Sequence, residues 1–461
     1  MRAVLISTYE MGRQPFGLAS PAAWLDRAGA HVTLCDLSRQ PLPDEEIRRA
    51  DFVGFYVPMH TATRMAVALL PRVQALNPEA FLCFYGLYAI VNEDYLRSLG
   101  VHGILGSEFE QDLTELAMPK GLPGMQELAT LADLENLPPM PRLKFILPLR
   151  AGLPELKQYA HVVMPEGGHR VAGYTEASRG CKHLCRHCPI VPVYAGMFRI
   201  VQPDVVLADV RQQVAAGAQH ITFGDPDFFN GPKHAMQIVE ALHREFPSVS
   251  YDVTIKVEHL LNHADLLPRL RDTGCLFVTS AVESVDDTTL HFLGKGHTRA
   301  DFIRAVGLLR EASIAFQPTF VPFTPWTTLQ GYADLLRVLA ELDLAENVAP
   351  IQLAIRLLLP AGSLLMHLPN VQSVARRFDP AALAYPWKHP DRRVDALQKE
   401  VEAIVQASEK MKRSRARTFG LIWQATHAAL AQAGAQPREE NAMPVLASRA
   451  TIPYLNEPWY C

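Results

Sequence analysis

The chain has 461 residues, 49% of them hydrophobic, and a formal net charge of -4. That length suits two or three domains with cores of their own. The near-neutral balance excludes a strongly basic nucleic-acid domain, and no apolar run approaches the ~20 residues of a membrane span.

Met1-Arg2 leads directly into Ala3-Val4-Leu5-Ile6, too short an apolar run for a secretory leader and readable as a buried strand. Next comes "SPAAWLDRAGA", a helix with Ser20 as expected N-cap and Pro21 as first helical residue. "HVTLCDL", "DFVGFYVP", the helix-like "TRMAVALLPRVQALNP", "AFLCFYG" and "VHGILGSEFEQDLTELA" continue the alternation. Residues 1–120 are therefore expected to form a doubly wound parallel sheet. Ligands of such sheets bind at the C-terminal strand edge, here Tyr9 to Phe16, Pro58 to Thr63 and Gly86 to Ala89.

Residues 121–169, with "LPPMPRL" and "LPLRAGLP", are rich in proline and glycine and read as a linker. Residues 170–365 resume the alternation. The strand candidates are "RVAGYTEAS", "HITFGDPDF", "SYDVTIKV", "LFVTSAVES", "AFQPTFVPF" and "PIQLAIRLLL". Six such βα units make a partial (β/α)6 barrel, whose functional groups gather at the C-terminal ends of the strands. Residues 366–461 are helix-like and end in an extended tail. The basic run Lys410, Lys412, Arg413, Arg415 and Arg417 reads as a solvated helix face.

"RGCKHLCRHC" after the first barrel strand holds Cys181, Cys185 and Cys188, three of seven cysteines. An odd count with three clustered argues against a disulfide framework and for a reducing, cytoplasmic setting. Three thiolates on a short loop bind a soft metal. One reading is a four-iron cubane with one iron left open. The other is zinc, completed by His183 or His187. Cys35, Cys83 and Cys275 lie in apolar strand contexts and read as inert buried thiols.

The CxxxCxxC spacing, "ITFGDPDFFN" and "GCLFVTSAVESVDDTTLHFLGKGHT" together resemble the radical S-adenosylmethionine (SAM) superfamily over residues 170–365. The resemblance implies that Cys181, Cys185 and Cys188 ligate a [4Fe-4S] cluster whose open iron chelates SAM. It implies that Gly224, Asp225 and Asp227 lie near the SAM amino group. It places Glu283 and Ser284 at a strand end against the ribose or amino-acid moiety, and Arg356 opposite a carboxylate. From the residues alone, Asp225 and Asp227 also suit a solvated turn with an N-cap. Glu283 suits a barrel-mouth ion pair, and Arg356 a buried pairing.

The N-terminal segments "FVGFYVPMHTATRMA", "CFYGLYA" and "GVHGILGSEFEQDLTEL" resemble the cobalamin (B12)-binding domain of that superfamily's cobalamin branch. This implies cobalamin contacts at Thr61, Thr63, Gly86 and Tyr88. Asp-x-His-x-x-Gly is absent, so His60 is not assigned to cobalt. Tyr9, Phe16, Tyr56 and Tyr88 suit either a macrocycle cover or core. The tail "NEPWYC" resembles that of a radical SAM group ending in Cys-Cys-Ala-Glu-Pro or its selenocysteine counterpart, though the Ala-Glu-Pro is lacking here. Large aromatics tend to bury area, so the tail is expected to dock. One reading gives Cys461 a catalytic role, the other an incidental thiol on a packed terminus.

The resemblance implies reductive SAM cleavage and modification of a small-molecule or peptide substrate, with electrons from a donor such as flavodoxin or ferredoxin and no nucleic acid or membrane partner. Methyl transfer through cobalamin, and cobalamin-free rearrangement, sulfur insertion or aminocarboxypropyl transfer, are alternatives. A non-catalytic metal- or corrin-binding regulatory module is the alternative of another class.

Overall fold

A computed structural model describes residues 1–106, 108–118, 143–434 and 452–456. The first sheet comprises β1 (Arg2–Ser7), β2 (His31–Asp36), β3 (Phe52–Tyr56), β4 (Phe81–Tyr85) and β5 (Gly103–Leu105). Its order is β2-β1-β3-β4-β5, and every pairing is parallel. Helices cover both faces, so β3 and β4 are apolar throughout rather than alternating. Two buried clusters flank the sheet, one around Val4, Ile6, Val53 and Phe84, the other around Leu5, Leu18, Phe52 and Leu113.

The first helix spans Phe16–Arg27, so Ser20 is not its N-cap and Pro21 lies inside it. Proline at 21 cannot donate to the Gly17 carbonyl four residues back. The Tyr85 hydroxyl donates to that carbonyl instead (3.0 Å), and the Ser20 hydroxyl donates to Glu110 Oε1 (2.6 Å). Tertiary partners thus take up groups that local capping rules had assigned to a helix start.

The second sheet contains β6 (His161–Val163), β7 (His169–Thr175), β10 (His220–Phe223), β11 (Ser250–Thr254), β12 (Cys275–Glu283), β13 (Ala315–Phe320) and β14 (Tyr454–Leu455). A separate two-stranded ribbon pairs β8 (Ser178–Gly180) with β9 (Phe198–Ile200). The large sheet runs β13-β12-β11-β10-β7-β6-β14. From β7 to β13 the strands are parallel, and β6 and β14 add antiparallel edges. Ile221, Phe223, Tyr251 and Val253 join the helix-packed core, as do Val206, Ile238 and Val239. Their strand neighbours His220, Thr222, Ser250 and Asp252 therefore face the other way, into the hollow of the barrel. There His220 bonds Ser250 Oγ (2.8 Å) and Asp252 Oδ1 (2.9 Å), and the Thr222 hydroxyl donates to the same oxygen (2.6 Å).

The sixth barrel position is not a regular strand. Pro350 opens a 3-10 turn, Pro350–Leu353. Beyond it only Arg356 pairs, in parallel with Phe323, through Phe323 N–H to the Ile355 carbonyl and Leu357 N–H to the Phe323 carbonyl. Residues 452–456 pack on the large sheet, while Trp459 and Tyr460, on which the docking expectation rested, lie outside the described residues. β14 pairs with β6, and Gln317 on β13 donates to the Pro453 carbonyl (2.8 Å). These two contacts tie the opposite edges of the curled sheet together. The basic run is not one helix face: Lys410 ends helix Arg392–Lys410, Lys412 and Arg413 lie in the turn that follows, and Arg415 and Arg417 open helix Arg415–Gln432. Arg415 turns inward, donating to the Glu346 carbonyl and stacking 4.2 Å from the Tyr454 ring centroid. Among the described residues, no helix is long and apolar enough to cross a membrane.

Candidate active site at the barrel mouth

The cysteine loop begins where β8 ends. Gly180 has φ +74, and a Cβ there would lie 2.4 Å from the Tyr194 ring and 2.5 Å from the Met197 carbonyl oxygen. Only glycine fits this turn. The loop is then pinned along its length. Asn230 Oδ1 accepts from Lys182 N–H (3.1 Å) and lies 3.9 Å from Cys181 Sγ. Arg186 N–H donates to the Leu293 carbonyl, and its guanidinium donates to the His291 and Phe292 carbonyls. Cys188 N–H donates to the Cys185 carbonyl (3.1 Å).

Cys185 is buried, while Cys181 and Cys188 are partly exposed. Burial raises the Cys188 thiol to about 12, and the neighbouring Cys185 and Cys181 add to the rise. Burial likewise raises Cys181. Cys181 and Cys188 become thiolates readily only when a metal charge sits beside them. Cys35, Cys83 and Cys275 are buried in strands, and burial raises all three. Cys461 lies outside the described residues.

Two acidic centres face this loop. Asp227 caps the short turn Phe228–Asn230 by accepting from Phe229 N–H. It is also 1% exposed, so the turn is buried rather than solvated. Its Oδ2 lies 2.7 Å from His259 Nδ1 and 3.4 Å from His183 Nε2. Burial works to raise this carboxyl, but the two imidazoles outweigh it and hold it below its ordinary value. Lys256 Nζ donates to His183 Nδ1 (3.0 Å) and to Glu258 (3.0 Å).

The second centre is Glu283, at the end of β12. Its φ is +67, an uncommon backbone state for a residue with a side chain, and a bulge interrupts β12–β13 pairing beside it. His187 Nε2 lies 3.2 Å and Lys295 Nζ 3.5 Å from Glu283 Oε1. Burial pushes this carboxyl up, yet Lys295 and His187 pull it down to about 2. The expected ion pair is therefore present, and it sits at a strained, buried strand end. Ser284 lies next to it, its hydroxyl accepting from Asp286 N–H.

Asp225 and Asp227 diverge although they share a loop. Asp225 turns toward β8, accepting from Ala177 N–H (2.9 Å) and from the Ser178 hydroxyl. Burial raises it to about 7, against these hydrogen bonds. Gly224 lies under Tyr174, whose hydroxyl oxygen would be 1.9 Å from a Cβ. Arg356 is engaged away from this centre. It donates to Asp395 (2.8 Å) and to the Trp387 carbonyl (3.0 Å) and stacks on the Trp387 ring.

The N-terminal candidates gather at the C-terminal edge of the first sheet, where three of them make contacts within the protein. Thr63 is fully buried, and its hydroxyl donates to the Met59 carbonyl (2.8 Å). Gly86, at φ +112, has the Val57 carbonyl oxygen 3.1 Å from where a Cβ would be. Tyr88 packs with Met59, Ala62, Val91, Val193 and Tyr194. Thr61 is half-buried at the start of helix His60–Leu76. Phe16 and Tyr56 are buried too. His60 bonds the Ala382 carbonyl of the C-terminal region (2.6 Å). Val193 and Tyr194 follow the cysteine loop, so the edge of the first sheet and the barrel mouth are directly apposed.

Sequence reading did not single out Lys256, His259 or Asn230. A signal was available: "KVEH" places charges directly after an apolar strand, where barrel function gathers.

A family model described as the radical SAM superfamily matches residues 175–336, the span that carries the three cysteines, Asp225, Asp227, Glu283 and Lys295. The chain carries a radical SAM domain. Such a domain is an enzyme domain and implies a [4Fe-4S] cluster and SAM. Curated relatives include the anaerobic magnesium-protoporphyrin IX monomethyl ester cyclase of Synechocystis sp., 24% identical over 67% of this chain and 64% of that protein. They also include the tRNA-2-methylthio-N(6)-dimethylallyladenosine synthase of Desulfosudis oleivorans, 24% identical over 42% of each. The chain thus spans less than two thirds of these relatives.

Among solved structures, the cobalamin-dependent SAM radical enzyme OxsB, with aqua-cobalamin and SAM bound, aligns with TM-score 0.68 at 13% identity. The alignment covers 92% of this chain and 71% of that one. The radical SAM methyltransferase TsrM from Kitasatospora setae aligns with TM-score 0.57 at 17% identity, over 74% and 71%. These likenesses show a shared fold.

The radical SAM domain's residues fit the cluster. Three thiols share one pinned loop, and no other described cysteine adjoins it. The zinc alternative fares less well. Among the described residues, the one grouping of ligand atoms within 4.8 Å is Cys181, His183 and Asp227, which includes a single cysteine. His187 is directed to Glu283 instead.

Proposed function

We propose that the chain is a radical SAM enzyme modifying a small-molecule or peptide substrate, with Cys181, Cys185 and Cys188 holding the [4Fe-4S] cluster. The observation that carries this is the pinned three-cysteine loop at the mouth of a parallel half-barrel, faced by buried Asp227 and Glu283. When bound and reduced, the cluster supplies the electron that cleaves the sulfonium of SAM.

The chain's own residues would bind and orient. Gly224, Asp225, Asp227, Glu283 and Ser284 are proposed as the SAM-facing set. Glu283, kept ionised by Lys295, is suited to accept hydrogen bonds from amino or hydroxyl groups. Asp227 offers a second such acceptor. The polar interior around Thr222 and Asp252 provides a hydrogen-bonding wall for a substrate deeper in the barrel. Packing of the first sheet against the cysteine loop keeps water from one side of the centre. A reducing, cytoplasmic setting and an electron donor such as flavodoxin or ferredoxin go with this reading.

Anaerobic reconstitution with iron and sulfide tests it. The expected outcome is about four irons per chain and release of 5'-deoxyadenosine from SAM on reduction, both lost in Cys181→Ala. One zinc per chain and no SAM cleavage overturns the enzyme reading in favour of a metal-binding module. Sharing a fold with OxsB, described as cobalamin-dependent, and with TsrM, described as a methyltransferase with cobalamin bound, supports cobalamin-dependent methyl transfer over a cobalamin-free reaction. Retention of corrin absorbance after incubation with cobalamin and gel filtration separates the two.

A further inference from the structure

We propose that Glu108 and Glu110, on the N-terminal part of the chain, are positioning residues for the metal cluster, clamping the cysteine loop on both flanks. The proposal rests on the cluster reading above and extends it to residues more than sixty positions away in sequence.

The clamp is built from one short stretch. Glu110 lies in the first turn of helix Phe109–Ala117, just after β5, and Glu108 directly precedes that helix. Glu110 is 0% exposed. Its carboxylate takes a bidentate pair from Arg179, with Nη2 to Oε1 at 2.6 Å and Nη1 to Oε2 at 3.0 Å. Arg179 stands two residues before Cys181 and is itself buried. The acid is also held from its own side, because the Ser20 hydroxyl donates to Oε1. Arg179 Nε donates to Glu176 (2.6 Å), and the rings of Phe16, Phe109 and Phe145 surround the guanidinium at 4.9–5.8 Å.

The second flank is Tyr194, six residues after Cys188. Its hydroxyl donates to Glu108 Oε1 (3.1 Å). Its ring is the surface that bars a Cβ at Gly180, the residue from which Cys181 departs. A contact chain therefore runs from Glu108 through Tyr194 and Gly180 to the first cysteine. A parallel one runs from Glu110 through Arg179.

Energetics separate this arrangement from an ordinary interdomain ion pair. A buried Arg–carboxylate pair contributes little net stability, because desolvation offsets most of its attraction. Its fork geometry does fix direction, since planar bidentate pairing admits one orientation. This pair on one flank of the metal-binding loop and the Tyr194–Glu108 hydrogen bond on the other fix where its thiols point. Supporting groups of this kind tune metal retention and electronic properties as the ligands themselves do.

The test uses the full-length chain, anaerobically reconstituted with iron and sulfide. Glu110→Gln, Glu108→Gln and Tyr194→Phe are compared with wild type and Cys181→Ala. The readouts are iron retained after gel filtration, the EPR spectrum of the dithionite-reduced protein with and without SAM, and midpoint potential. Far-UV circular dichroism checks the fold.

Glu110→Gln is expected to show an altered EPR spectrum and about a twofold or greater loss of retained iron with its secondary structure intact. Tyr194→Phe and Glu108→Gln are expected to change the spectrum less. If Glu110→Gln does not fold, Tyr194→Phe, which removes one hydroxyl, decides. Wild-type iron, spectrum and potential in all folded variants overturn the clamp while leaving the cluster reading intact. A wild-type chain that takes up no cluster overturns both.

Discussion

The two parallel sheets end in edges of opposite character. At the edge of the first, Gly86 is closed over by the Val57 carbonyl, Thr63 bonds within its own helix, and Tyr88 packs with Met59 and Tyr194. At the mouth of the second, buried carboxylates, imidazoles and lysines surround three thiols, and Glu283 is held in a strained backbone state. Charge and strain concentrated at one site persist only where surrounding structure enforces them, and such sites are where chemistry is done. The first sheet's edge packs on Val193 and Tyr194, just after the cysteine loop, and so forms one wall of the second sheet's mouth.

Substitutions at the two edges should therefore differ in kind. Gly180→Ala is expected to have the largest effect, because the new methyl meets backbone at Met197 as well as the Tyr194 ring. Loss of cluster uptake, with destabilisation of about 3 kcal/mol or more, is expected. Iron content and urea titration check it, and wild-type behaviour would show that the loop is not tightly held.

Asp225→Asn should come next, read through pH. Between about pH 4 and pH 7 the unfolded chain's Asp225 is ionised while the folded one, raised to about 7, keeps its proton. Wild-type stability attributable to this group thus falls as pH rises through that window, by on the order of 4 kcal/mol. The apo variant should lack that slope in its Tm against pH. An unchanged slope contradicts the assignment.

Lys295→Met removes the strongest counter-charge of Glu283. In wild type, Glu283 stabilises the fold above pH ~4.5, and this is lost as pH falls toward about 2. The variant should be less stable at pH 7 by about 3 kcal/mol, with a shallower decline in acid.

Gly86→Ala, at the first sheet's edge, should be the mildest. A positive φ and the close Val57 carbonyl predict a loss of about 2 kcal/mol. Wild-type cluster content in that variant would sharpen the contrast between the edges, whereas loss of iron without loss of stability would break it.

Much of the fold was legible in sequence because strands buried on both faces leave continuous apolar runs, and the intervening helices are amphipathic. The five strands of the first sheet and β7, β10, β11, β12 and β13 fall where those runs were read. "PIQLAIRLLL" has the same composition, yet Pro350 turns its start into a 3-10 segment and leaves a single bridge at Arg356. Ser20-Pro21 mimicked a helix start because capping signals are local. Whether a hydroxyl caps its own helix or bonds Glu110, ninety residues away, depends on packing.

By itself the sequence determined the alternation of strands and helices and the spacing of Cys181, Cys185 and Cys188. Hydrophobic periodicity and short-range ligand spacing are written within a few residues of each other. Tertiary structure alone decided which charges meet: Asp227 with His183 and His259, Glu283 with Lys295, and Arg179 with Glu110. Those partners come from different strand ends or different sheets, and the energy of a charge depends on burial and neighbours that no local pattern encodes.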